Sequence, residues 1–378
     1  DSNVPRLEYP LIDGVVNGCP SLLLEPESTN LIAYSQEQSA GSWYSGSAWS
    51  VLDNSQISPE GVLNASSLTE DLTNGFHSGY YTGVINNSYT GDFTISCFAK
   101  YNGRDISLSP KGATERTFFD LQNGIVSQLG GGGVTAKIEN YGNGWFRCSV
   151  TCSFSNQTVY FEHLLSNNNS LQYQGNGTSG IYIFGCQAEE LSYATSYIPT
   201  NGSAVTRQAE TCNGAGDAAT FNDSEGVLMV ETSALADTAA SERIAISDGV
   251  SSNNRVVIEY DETFGLVKFW VTGGGTTNGE VQISGINKTQ NNKISLLYQS
   301  NVIKVYINGF NVGNGTGVVT PTGLDTLKFE QAIGGNNFYG KTKQVQYYNS
   351  ALTDSELEKI SSWTSFTDMA QAQQYSII

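Results

Sequence analysis

At 378 residues the chain has room for about two domains, each able to bury a core of its own. Its 41 glycines and 20 tyrosines, against only 14% charged residues, are what short strands and tight turns need. A net charge of −18 excludes a phosphate-neutralising nucleic-acid surface and disfavours an anionic membrane, and no apolar run reaches the ~20 residues of a membrane helix.

Along the chain, DSNVPRLEYP carries no signal peptide and reads as the middle of a longer or processed chain. The first strand expected is Ser21-Leu22-Leu23-Leu24, stopped by Glu25-Pro26. Strands follow at 92–100, 117–121, 135–139, 145–154, 159–165 and 180–187, separated by turns such as Gln122-Asn123-Gly124 and Tyr141-Gly142-Asn143-Gly144. The Gly130–Gly133 run is too flexible for the interior of an element and reads as a loop. A linker-like passage, Ser196 to Gly216, precedes a second β series at 227–234, 243–247, 255–260, 266–272 and 293–297. Tyr298-Gln299-Ser300-Asn301 turns the chain into 302–308, and 326–330 and 341–348 close the set. One segment, 353–360, reads as a helix, with Thr353 as N-cap and Glu356 completing a capping box. The expected fold is all-β: two β-sandwich (jelly-roll) domains in series with a short C-terminal helical tail.

Chemistry is sparse. His77 and His163 each stand alone, without the partner a catalytic base requires. No nucleophile elbow, phosphate loop or zinc-protease helix is present. Glu259 and Asp261 share a strand face, as paired acids of a glycosidase would, but Phe264 stands where a third acid belongs, and the pair reads instead as a strand end. No enzyme is expected. Asp217, Asn222, Asp223 and Glu225 gather oxygen donors suited to calcium, in a spacing that matches no EF-hand and that a solvated linker explains as well. The six cysteines lack a Cys-x-x-Cys pair. In Arg147-Cys148-Ser149-Val150-Thr151-Cys152, the residues Cys148, Val150 and Cys152 share a face and read as small core hydrophobes with free thiols. Trp43, Tyr44 and Trp49 cluster in SWYSGSAW, and Tyr80-Tyr81 follow a glycine; together they are the candidate platform for sugar rings. The same aromatics read equally as core, as Trp145 does within its strand.

Pro5-Arg6-Leu7-Glu8-Tyr9, then Cys19 to Pro26, then Thr29-Asn30-Leu31-Ile32 resemble a block found in tailed-bacteriophage virion proteins, ahead of a jelly roll similar to carbohydrate-binding modules. Tyr141 to Cys148 looks like the Gly-Trp-Tyr-Arg strand of that domain. Ile183 to Glu189 and Tyr193 to Thr200 resemble its closing motif, and Thr206-Arg207 its exit. The second half, through Ile303 to Gly309, Gly340 to Tyr347 and Asn349 to Leu357, is similar to concanavalin A-like, laminin-G-type sandwiches. The resemblance implies an arm over 1–18, a jelly roll over 19–207, a linker over 208–221, a laminin-G-type sandwich over 222–360 and a tail over 361–378. It implies a fibre or appendage protein of a virion assembled in the host cytoplasm. Such a protein would bind host surface polysaccharide and other virion proteins, as a homo-oligomer, with a trimer expected. A connector making only protein contacts and the binding region of a secreted glycan-active enzyme are the alternatives.

Overall fold

The computed structural model describes residues 4–12, 14–41, 43–81, 85–111 and 115–373, leaving aside the side chains of residues 12, 44–47, 80, 86, 87, 366 and 371. The fold is all-β, and the chain divides into two compact units, each a sandwich of antiparallel sheets. Among the described residues no helix is long and apolar enough to cross a membrane.

The first sandwich takes in residues 11–17 and 27–208. One six-stranded sheet runs in the order Thr135–Gly142, Trp145–Val159, Asn86–Asn102, Gly180–Glu189, Leu63–Glu70, Trp49–Ile57. The facing sheet runs Ile125–Gln128, Thr117–Asp120, Asp105–Ser109, Glu162–Ser166, Ser78–Tyr81, Trp43–Ser47. Strict alternation puts Phe93, Ile95, Cys97 and Ala99 inward from one sheet, opposite Ile106, Leu108 and Phe119 of the other. Cys148, Val150 and Cys152 fall on the same buried face, as their spacing requires, and burial pushes the Cys152 thiol up to about 12. Trp145 packs behind that sheet with Phe98 and Phe184 and donates its indole N–H to the Ile57 carbonyl at 3.1 Å.

Asn30 explains how this sandwich closes. Fully buried, it spends all of its amide: Nδ2 donates to the carbonyls of Cys186 (3.1 Å) and Ile198 (2.9 Å), and Oδ1 accepts from the N–H groups of Ile32 (3.1 Å) and Ala188 (3.2 Å). Glu189, also fully buried, accepts from Ser28 Oγ at 2.7 Å and from the Thr195 N–H and hydroxyl. Ser28 to Ile32 and the closing motif thus meet in buried hydrogen bonds, where an unpaired polar atom would be costly.

The second sandwich takes in residues 1–10, 18–26 and 209–378. Its seven-stranded sheet runs Leu7–Glu8, Ser21–Leu24, Gly340–Tyr348, Glu225–Ala234, Asn292–Gln299, Val302–Ile307, Phe310–Thr316. Its six-stranded sheet runs Asn213–Ala215, Thr326–Lys328, Glu242–Ser247, Arg255–Tyr260, Val267–Gly273, Thr276–Ile283. Here the structure departs from the expected layout. Ser21–Leu24 does not open the jelly roll; it pairs with Gly340–Tyr348, with Leu24 opposite Gly340 and Leu22 opposite Thr342. Leu24 lies in the core of the second sandwich among residues such as Leu228, Ile258 and Phe338. Residues 209–221, expected as linker, likewise belong to this unit, and Asn213–Ala215 pairs with Thr326–Lys328. The larger part of the first sandwich is therefore an insertion in the second. Arg6 binds both ends of the excursion, reaching the Glu25 and Glu210 carboxylates, the latter at 2.6 Å, while the Glu25 N–H donates to the Glu210 carboxylate at 2.8 Å and the Glu210 N–H to the Glu25 carbonyl at 2.9 Å.

The helix forms over Asp354–Ser361 with the expected capping box, and Leu357 packs against Val227, Leu297 and Tyr306 on the outer side of the seven-stranded sheet. The tail turns back on this same sandwich: Lys293 Nζ sits 4.8 Å from the Trp363 ring centre, Ala370 is fully buried, and Gln373 exchanges hydrogen bonds with Gln290 and Asn291. Of the expected tail, residues 374–378 lie outside the described residues.

Candidate functional site

The aromatic platform expected in the first sandwich faces inward. Trp43 donates its indole N–H to the Tyr34 carbonyl at 2.7 Å, and its ring meets Tyr81, Phe161 and His163 edge-on at 5.1–5.5 Å. Trp49 stacks on His163 at 5.2 Å, and Tyr81 is buried, its hydroxyl accepting from the Ala33 N–H. Half-buried Trp43 and Trp49 and buried Tyr81 therefore pack against the core and do not form the expected exposed platform. Tyr44 and Tyr80 were expected beside them; the backbone pairs them across two strands, and their side chains lie outside the described residues. His163, buried beneath both indoles, is pushed down to about 3 by burial alone and is neutral at physiological pH.

The calcium candidates are occupied by backbone. Asp217 Oδ1 accepts from the N–H groups of Ala219 and Thr220 and from the Thr220 hydroxyl, at 2.7–3.1 Å, bonds that hold its carboxyl below the usual range. Asp223 accepts from the Gly323 and Leu324 N–H groups at 2.7 and 2.9 Å. Asn222 donates to the Asn349 carbonyl and accepts from the Ser224 N–H, and Glu225 begins a strand. These residues tie loops together, and among the described residues no three acidic, histidine or cysteine side chains form a metal-binding group. Asn222 and Asp223 do line an open depression of about 340 Å³, with Ala218–Phe221, Gly323, Leu324 and Asn349.

The distinctive chemistry lies on the outer face of the six-stranded sheet of the second sandwich. Residues of one parity point into the core there, Ile244 and Ile246 among them, then Val256 and Ile258, then Phe269 and Val271. The other parity forms three cross-strand rows. In the first, Arg243, Glu259, Lys268 and Gln282 stand side by side. Arg243 pairs with Glu259 at 3.2 Å and with Gln331, and Lys268 pairs with Asp261 at 2.5 Å. Burial works against the Asp261 charge, but the bonds from Lys268 and Thr263 outweigh it and hold the carboxyl at about 2. The Glu259 and Asp261 pair is thus committed to separate cations.

The second row is apolar: Ala245, Val257 and Trp270, with Lys328 at its end. The third row is Thr326, Ser247, Arg255, Thr272, Thr277; Thr326, Ser247 and Thr272 are buried, and exposed Thr277 shares a hydrogen bond with the Thr272 hydroxyl at 3.1 Å. Arg243 and Arg255 reach Trp270 from the two flanking rows, with guanidinium carbons 5.3 and 5.7 Å from the ring centre, within cation–π range. Trp270 keeps 6% of its surface exposed. Arg255 is half-buried, and its Nε and Nη1 are buried without an acceptor. Burial, then the neighbouring Arg243 charge, pulls its pKa down, with Glu259 opposing. The sequence reading passed over this face. Its signal was the alternation Arg255-x-Val257-x-Glu259 beside Lys268-x-Trp270-x-Thr272, a tryptophan at an outward strand position.

No protein-family model matches the chain, and no curated protein matches it. Among solved structures it is similar to the CBM40 of the Ruminococcus gnavus IT-sialidase, with 16% identity and TM-score 0.33 over 40% of this chain and 96% of that one. It is also similar to the leech intramolecular trans-sialidase, with 12% identity and TM-score 0.32 over 38% of this chain and 24% of that one. A third is the heptameric SAP-like pentraxin of Limulus polyphemus, with 13% identity and TM-score 0.31 over 41% and 76%. Likeness at this level says nothing of what the chain binds.

Proposed function

We propose that the chain is a structural protein of a tailed-phage virion, a fibre or appendage component, whose second sandwich binds a glycan on the outer face of its six-stranded sheet. The observation that carries the binding role is the rim of that face, where Arg243, Arg255, Lys268, Lys328, Thr277 and Gln282 keep polar groups in solvent around the edge of Trp270 while Ala245 and Val257 beneath are fully buried. Sugars present many hydroxyls to such donors and acceptors. The virion role rests on the resemblance of the sequence blocks around Cys19–Pro26, Thr29–Ile32, Ile183–Glu189 and Tyr193–Thr200 to those of phage virion proteins. The role is binding rather than catalysis, with Glu259 and Asp261 each held by a cation. Partners would be other virion proteins and host surface polysaccharide, in a homo-oligomer.

The alternative, a connector with protein contacts only, is favoured by one feature of the first sandwich. Its edge hairpin, Trp49–Ile57 with Leu63–Glu70, leaves Leu52, Ile57, Val62 and Leu63 more than half exposed. A glycan array probed with the full chain, alongside binding to host cells, tests the proposal. Saturable binding that Lys268→Ala and Gln282→Ala weaken without shifting the melting temperature is the expected result; no binding to any glycan or cell would leave the connector.

A further inference from the structure

We propose that Lys288 and Asp237 of the second sandwich join through an amide bond between their side chains, a cross-link the protein makes in itself, with Glu242 carrying the proton. Asp237 lies between Glu225–Ala234 and Glu242–Ser247, and Lys288 between Thr276–Ile283 and Asn292–Gln299. Both side chains are withdrawn from water, 12% and 2% exposed, and Lys288 Nζ lies against Asp237 Oδ1. That oxygen, though buried, accepts no hydrogen bond. Two directions of Nζ are taken, because it donates to the carbonyls of Asp261 at 2.7 Å and Thr263 at 3.2 Å. The remaining one faces Asp237, whose Oδ2 accepts from the Gly265 N–H at 2.9 Å. Glu242 completes the group: it is 8% exposed, and its Oε2 is buried without a partner. Burial pushes Glu242 up to about 8, with a Tyr339 backbone bond and the Lys288 charge opposing and Asp237 adding, so it holds a proton at neutral pH.

The atoms for the reaction are all in place. Away from water, one proton passes from the ammonium to Oδ1, leaving a neutral amine beside a carboxylic acid. The two carbonyls hold the amine N–H groups, so its lone pair points at Asp237 Cγ, and the C–N bond forms at high effective concentration. Charge develops on Oδ2, where the Gly265 N–H already donates. Glu242 takes a proton from the nitrogen on one oxygen and gives its own to Oδ1 from the other. The Cγ–Oδ1 bond breaks and water leaves. In sum, one ammonium and one carboxylate become one amide and one water, and Glu242 ends as it began. Burial then protects the amide from hydrolysis. A plain ion pair accounts for the contact, but it leaves Asp237 Oδ1 and Glu242 Oε2 both buried without hydrogen bonds, which is costly.

The intact mass of the denatured full chain reads the joint directly. The unmodified protein should be lighter than its sequence by one water molecule. Trypsin should fail to cut after Lys288 and leave a branched peptide that contains Asp237. Lys288→Met and Asp237→Ala should each show the full mass of their own sequences. Glu242→Gln keeps both partners and would leave a mere ion pair untouched, yet it too should show its full mass. Losing a ring closed between residues 237 and 288 should lower the melting point of the second sandwich by roughly 10 °C in Lys288→Met. The effect of the Glu242 charge on melting is read in that Lys288→Met background, where no joint can form. An unmodified protein of full mass, or a lost water that maps to any other residue, overturns the proposal. A Glu242→Gln protein that still loses water overturns the role given to Glu242. Should a variant not fold, the mass and peptide map of the unmodified protein still decide.

Discussion

Leu24→Ala separates the observed chain path from a simple pair of sandwiches in series. Leu24 is 4% exposed and lies in the core of the second sandwich, although residues 27–208 of the other unit follow it in the chain. Removing a buried leucine side chain costs ~2–5 kcal/mol, depending on how far the site collapses. Ser21–Leu24 has only the two-residue strand Leu7–Glu8 beyond it, so relaxation is easier than at a central strand, and about 3 kcal/mol is expected. In a domain of roughly 150–250 residues each 1 kcal/mol moves the melting point by about 2–4 °C, so the second sandwich should melt about 6–12 °C lower. Ile95→Ala, in the core of the first sandwich, is the control. Calorimetry should show the two substitutions moving different transitions. Hydrogen exchange should show lost protection in Glu225–Ala234 and Gly340–Tyr348 for Leu24→Ala, with Asn86–Asn102 unchanged. If Leu24→Ala instead moves the transition that Ile95→Ala moves, or moves neither, Ser21–Leu24 does not belong where the pairing puts it.

Two further outcomes follow from burial. Trp43→Ala and Trp49→Ala should each destabilise the first sandwich by roughly 3 kcal/mol, the low end for a core aromatic because both rings are half-buried; thermal melts that stay unchanged while sugar binding is lost would return them to the surface. The two sandwiches should also respond to pH in opposite directions. His163, held neutral down to about 3 in the fold, refuses a proton that the unfolded chain accepts below about 6.5, so the first sandwich loses stability as pH falls from 6.5, by at most ~1.4 kcal/mol per pH unit. Glu242, pushed up to about 8 by burial, keeps its proton in the fold where the unfolded chain has lost it above about 4.5. The second sandwich should thus lose stability as pH rises from 4.5 to 8, and Glu242→Gln should raise its melting point at pH 8 far more than at pH 4.5. A variant with equal gains at both pH values would refute the assignment.

What could be read from the sequence was whatever depends on near neighbours. Alternation placed Cys148, Val150 and Cys152 on one buried face, and a local side-chain exchange fixed the helix start at Thr353. Asn301, with φ of 65°, makes the turn expected between Asn292–Gln299 and Val302–Ile307. Ser21–Leu24 was legible as a strand, but an apolar run does not name its partner, and Gly340–Tyr348 lies almost at the other end of the chain. Trp43 and Trp49 misled because the glycines and serines around them look like loop, whereas Trp43–Ser47 and Trp49–Ile57 are paired strands.

The unpaired arginine shows the same limit more sharply. By sequence, Glu259 is the acid nearest Arg255 on its own strand face, four residues on, and the two read as a pair. Along a strand, however, four residues span about 13 Å, while a cross-strand neighbour stands about 5 Å away. Register sets Arg243 directly opposite Glu259, so Glu259 goes to Arg243. Register also sets Arg255 between Ser247 and Thr272, both buried and uncharged. The charge pairing of the face therefore comes from how strands align, and a shift of two residues in the pairing of Glu242–Ser247 with Arg255–Tyr260 would move Glu259 away from Arg243 and redistribute the partners of both arginines.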